Sequence, residues 1–116
     1  MQARRRGRIV LCGSIAGHMG GVRSGAHYAF SKGGLHAFVR WLARRAAEHI
    51  VLVNAVAPGP VDTGMTSGQG YQPDAFPLRR MASPDEIASC IAYLCGPGAS
   101  YATGAIFDVN GGTHFH

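Results

Sequence analysis

A chain of 116 residues, 47% hydrophobic and 15% charged, holds one domain and can bury a core, which excludes wholesale disorder and a multi-domain architecture. No apolar run approaches the ~18 residues of a membrane helix, and three cysteines make no disulfide framework, so a reducing cytosol is the expected compartment. The net charge of +5 is mostly Arg4, Arg5, Arg6 and Arg8; no basic stripe interleaved with aromatics follows them, so they read as a helix end or linker, with no nucleic-acid or membrane partner expected.

In chain order, Gly7–Cys12 is a short apolar, β-branched run closed by Gly13, as in a strand buried on both faces. Residues 17–25 are a glycine-rich loop. A long helical pattern runs from about His27 to Glu48, with Leu35, Phe38, Val39, Leu42 and Ala46 as its apolar stripe and Arg40, Arg44 and Arg45 away from it. Gly33 and Gly34 weaken this helix and predict close packing there. Ile50–Ala57 is a second buried strand, ended by Pro58-Gly59-Pro60. Residues 61–82 have little periodicity and read as a long functional loop. Ser83-Pro84-Asp85-Glu86 starts a helix, with Ser83 as cap and Glu86 closing a capping box; Ile87, Ile91 and Leu94 are its buried stripe. Ile106–Val109 is a third strand. Buried strands alternating with helices need crossover connections, hence an α/β fold with a parallel sheet of three strands and two main helices.

The chemistry concentrates at three residues. Tyr28 and Lys32, at i and i+4, share one helix face. Ser14 follows the first strand, at the carboxyl end where open α/β sheets bind ligands. A cation ~4–5 Å from a phenol favours the phenolate, so the trio suits carbonyl/alcohol acid–base work. Lys32 is the only lysine among eleven basic residues.

Five ordered blocks resemble the short-chain dehydrogenase/reductases, in particular their 3-oxoacyl-ACP-reductase-like members. They are G-R-I-V-L-C-G-S-I-A-G at 7–17, Y-A-F-S-K-G-G at 28–34, V-N-A-V-A-P-G-P-V-D-T at 53–63, P-D-E-I-A at 84–88 and Y-A-T-G-A-I-F-D-V-N-G-G at 101–112. The resemblance implies a Rossmann-like, doubly wound parallel sheet, of which 1–116 is the C-terminal half, 1–6 the remnant of a preceding helix and 64–82 the substrate loop. It implies an NAD(P)(H)-dependent oxidoreductase interconverting a carbonyl and a secondary alcohol, with a small-molecule substrate and a homo-oligomeric (dimer or tetramer) state for the complete domain. Ser14 would orient the substrate oxygen, Tyr28 would be the acid/base, and Lys32 would assist the tyrosine and hold the nicotinamide ribose. Pro58 and Gly59 would line the nicotinamide pocket, the Val61 backbone would hold the carboxamide, and Thr63 would lie near the carboxamide or pyrophosphate. Asn54 is assigned to strand and loop structure.

The Gly-rich pyrophosphate fingerprint and the residue that separates NAD from NADP have no counterpart in these blocks. The expectation is therefore a truncated reading of a longer gene, with a catalytically inactive half-domain serving as an oligomerisation or interaction module as the alternative. The Ser14–Tyr28 gap is one residue longer than the family often shows, and Gly17, Gly20, Gly21 and Gly25 can absorb it. His114 and His116 have no ligand framework beside them in sequence and read as tail, so no metal site is expected. Cys12, Cys90 and Cys95 read as core residues. Phe38, Trp41 and Leu42 read as core or subunit interface.

Overall fold

A computed structural model describes residues 1–116. Three strands form one parallel sheet in the order β1 (Gly7–Cys12), β2 (Val51–Pro58), β3 (Ile106–Val109). Ala16–Met19 makes a single helical turn (α1), Ala26–Ala46 the long helix (α2) and Pro84–Cys95 the last helix (α3). The predicted strands and both main helices are present, shifted at their ends by one or two residues.

The sheet divides the apolar residues by strict alternation. Val51, Val53 and Ala55 of β2 pack with Val39, Ala43 and Ala46 of α2, joined at the edges by Ile9, Leu11 and Ile106. On the opposite face Val56 meets Ile87 and Leu94 of α3, joined by Val10, Phe107 and Val109. Asn54 is 1% exposed on β2. Its Nδ2 donates to Ala102 O at 2.8 Å and its Oδ1 accepts from Ala105 N at 3.1 Å, so it fastens the approach to β3 onto the central strand.

The core is thin. Only 15 of 116 residues are buried. The radius of gyration is 15.0 Å, against about 13.4 Å for a compact chain of this length. The reason lies at β1, which pairs on one side alone. Gly13 N donates to Val56 O at 2.7 Å. By the alternation of a parallel ladder, Ile9 and Leu11 then direct their backbone groups to β2, and Arg8, Val10 and Cys12 direct theirs outward. β1 does pack on both faces, Ile9 and Leu11 toward α2 and Val10 toward α3, but with its outer edge open it is only half-buried, and the expected burial of Cys12 is corrected: Cys12 is exposed. Cys95 is exposed too, and Cys90 is half-buried, with burial pushing its thiol up.

Helix α2 also departs from its predicted stripe. Phe38 is 47% and Trp41 51% exposed; their rings stack at 5.8 Å, and Arg45 lies over Trp41 at 4.0 Å. Of the two helix glycines, Gly33 faces the Gly17 carbonyl of α1, while Gly34 faces open space. The close approach comes instead from α1, where a Cβ on Gly17 would stand 2.8 Å from the Lys32 carbonyl. Helix α3 starts as predicted. Glu86 accepts from Ser83 N at 2.9 Å in a capping box with Pro84 in the first turn, and Arg80 clamps the same carboxylate through two bonds of 2.7 Å.

Candidate active site

The carboxyl ends of β1 and β2 carry the predicted residues. Beyond Cys12 the chain turns, and Ile15 N donates to Pro58 O at 3.1 Å, so the Ser14 loop is tied to the end of β2. Ser14 Oγ accepts from Ala16 N at 3.1 Å, which holds the hydroxyl in a local turn and leaves its hydrogen free to donate. Gly20 and Gly21, at φ 85° and 73°, lie in the connection from α1 to α2.

Tyr28 and Lys32 stand on one face of α2. Lys32 Nζ lies 5.5 Å from the Tyr28 ring centre and donates to Cys12 O at 2.8 Å. One ammonium donor is thereby spent on the end of β1, and two remain. The bond places the lysine beside the strand end from which Ser14 emerges. His27, the tyrosine's neighbour, is exposed.

Pro58 and Gly59 continue β2 toward the β3 end. Gly59 N donates to Val109 O at 3.1 Å, and a Cβ on Gly59 would lie 2.9 Å from Asn110 Cα, so this position excludes a side chain for packing reasons. Val61 forms an isolated parallel bridge with Ala82. Its carbonyl accepts from Thr66 Oγ1 at 2.7 Å, while its N–H makes no hydrogen bond within the chain. Thr63 is exposed and its N–H donates to Thr66 Oγ1 at 3.1 Å. Residues 64–82 carry turns and one 3-10 turn at Pro73–Ala75.

Sequence reasoning missed two supporting residues. Thr66 closes the 61–67 turn, and its only sequence signal was a threonine three places after Thr63. His36 is 2% exposed beneath the Ser14 loop: a Cβ on Gly13 would meet its Nε2, and one on Gly17 would lie 2.8 Å from its Cε1. Burial, reinforced by His18 and Arg40, brings the His36 imidazole down to about 4. Burial likewise lowers His18, against the opposing charge of Asp108. The structure also supplies what the tail histidines lacked in sequence, since His18 and Asp108 lie against His116.

A family model described as enoyl-(acyl carrier protein) reductase matches residues 1–114. The chain belongs to the short-chain dehydrogenase/reductase family. Among the similar members of that family, an acetoacetyl-CoA reductase of Allochromatium vinosum is 40% identical, over 100% of this chain and 49% of that protein. A 3-oxoacyl-(acyl-carrier-protein) reductase of Aquifex aeolicus is 42% identical, over 97% and 47%. A crystal structure of a 3-oxoacyl-(acyl-carrier protein) reductase with bound NAD from Brucella melitensis superposes with a TM-score of 0.91 at 32% identity, over 100% of this chain and 44% of that one. The chain thus spans about half the length of these family members, as the sequence blocks implied. No helix is long and apolar enough to cross a membrane.

Proposed function

We propose that this chain supplies the catalytic half of an NAD(P)(H)-dependent oxidoreductase that interconverts a carbonyl and a secondary alcohol. The observation that carries the reading is the Lys32–Cys12 bond at 2.8 Å, with Tyr28 one helical turn from Lys32 and Ser14 two residues beyond Cys12. The donor set fits a nicotinamide nucleoside: two free ammonium hydrogens for ribose hydroxyls, and the unengaged Val61 N–H for a carboxamide oxygen. Pro58, Gly59 and Thr63 complete that wall. The chemistry supplied by a bound nicotinamide is hydride donation to, or acceptance from, the substrate carbon.

The chain's own residues handle the oxygen. Ser14 donates its free hydroxyl hydrogen to the substrate oxygen and fixes its position. Tyr28 gives that oxygen a proton in reduction and takes it back in oxidation. The Lys32 charge stabilises the phenolate left behind. The 64–82 segment selects the substrate. The names of the reductases similar to this chain support an oxoacyl-type carbonyl.

The exposed Phe38–Trp41–Arg45 face of α2 favours a second, compatible role, self-association through that helix. Were the chain inactive, this would be its whole function.

The test is NAD(P)H-linked turnover of a 3-oxoacyl thioester by the protein that carries this chain. Tyr28→Phe should lower turnover by at least ~100-fold and leave cofactor affinity near wild type. Lys32→Met should impair both. Turnover of Tyr28→Phe within about threefold of wild type, far short of the loss of an acid/base group, would remove Tyr28 from the mechanism.

A further inference from the structure

Four of the six histidines converge at one place behind the Ser14 loop, with His36 one helical turn beyond Lys32 on α2. His18 comes from α1, His36 from α2, and His114 and His116 from the tail after β3. The His18 ring centre lies 4.4 Å from His36, 4.6 Å from His116 and 5.7 Å from His114. Asp108, on β3, is the acid among them. Its Oδ2 is 3.0 Å from His116 Nδ1, and its Oδ1 is 3.7 Å from His18 Nε2.

The nitrogens are the telling atoms. His18 Nε2, His114 Nε2 and both nitrogens of His36 are buried without a hydrogen-bond partner. Buried polar groups are normally satisfied, and of these atoms His18 Nε2 is one that could ligate an ion together with Asp108 and His116, with His114 beside it. His36 is itself 2% exposed and packs on the His18 ring, so the cluster extends into the interior. The outer side opens on a cleft of about 440 Å³ lined by Asp108, His114 and His116 with Pro60, Phe76 and Leu78, which is an entry path. The tail is pre-set for the purpose. Asn110 Nδ2 donates to His114 O at 2.9 Å, and Asn110 Oδ1 accepts from Gly112 N at 2.9 Å.

We propose that His18 Nε2, His116 Nδ1 and the Asp108 carboxylate bind one divalent transition-metal ion of the zinc type, with water or His114 in the fourth position. The three ligand atoms already lie within 4.8 Å of one another. A tetrahedral ion with bonds of about 2.0–2.1 Å needs them about 3.4 Å apart, a closure of at most about 1.4 Å that the half-exposed His116 side chain can make. Two imidazoles and one carboxylate suit zinc or cobalt better than calcium or magnesium, which prefer all-oxygen sets. The ion would pin the tail to α1, the turn that follows Ser14, and so brace that loop from behind.

The experiment is titration of the untagged chain with Co2+, read by visible absorption, and with Zn2+, read by calorimetry. Circular dichroism checks the fold of each variant. The expected result is one ion per chain with the intense visible bands of tetrahedral Co2+. Affinity should fall at least ~10-fold in His116→Gln, since even outer-sphere partners of a metal site are worth that much. The His116 side chain is exposed, so this variant leaves the core intact. His18→Gln should behave likewise, and His49→Gln, remote from the cluster, should match wild type. Absent uptake, uptake equal in His116→Gln and wild type, or equal loss in His49→Gln would each overturn the site.

Discussion

Strands β1 and β2 have almost the same kind of sequence and quite different surroundings. I-V-L-C and V-L-V-N-A-V-A are both short, apolar and β-branched. Yet β2 is buried along nearly its whole length, and β1 is half-buried from Gly7 to Leu11 and exposed at Cys12. The difference is one of neighbours: β2 lies between two strands and between α2 and α3, and β1 has a strand on one side only. An apolar run therefore signals that a strand wants cover, and the fold decides how much it receives.

Substitutions can break this comparison. The largest effect is expected at Asn54 on β2. Asn54→Ala leaves the Ala102 carbonyl and Ala105 N–H unpaired, at about 1–3 kcal/mol for each. A midpoint in urea close to wild type would show that water replaces both bonds and that the central strand is not sealed. Next comes a matched pair. Val53→Ala on β2, fully buried, should cost about 2–3 kcal/mol, and Val10→Ala on β1 less than about half of that. Equal losses would mean that β1 is covered in solution by another strand or another copy.

The smallest effect is at the start of α3, outside the two strands. The Arg80 guanidinium, with the Ser83 N–H, holds the Glu86 carboxyl down at about 2, from an ordinary 4.5. Because the folded form binds this proton less readily, the contribution is complete above pH 4.5 and disappears as pH falls toward 2. The stability difference between wild type and Glu86→Gln should shrink across that window. A difference independent of pH would assign the effect to packing.

Local features were the legible ones. The capping box at Ser83–Glu86, the end of β2 at Pro58-Gly59-Pro60 and the Tyr28–Lys32 spacing are encoded within a few residues, and the structure carries each of them. Exposure was less legible. Phe38 fits the helical stripe and Trp41 reads as core or interface, yet both are exposed, as are Cys12 and Cys95 within apolar runs. The cluster of His18, Asp108 and His116 was hidden for another reason. Its members belong to three elements that meet only after the parallel sheet forms, so no spacing along the chain announces them.

The hydrogen bond from Lys32 to Cys12 has a consequence for how the sheet can grow. The Cys12 carbonyl faces away from β2, at the position where an added strand would find its last acceptor. The Lys32 ammonium occupying that acceptor acts as a stop. A strand joining β1 from outside can pair with Arg8 and Val10, but at Cys12 it must end or divert. The lysine thus sets the length and register of the partner it admits, and any strand that overran the stop would draw the amine away from Tyr28.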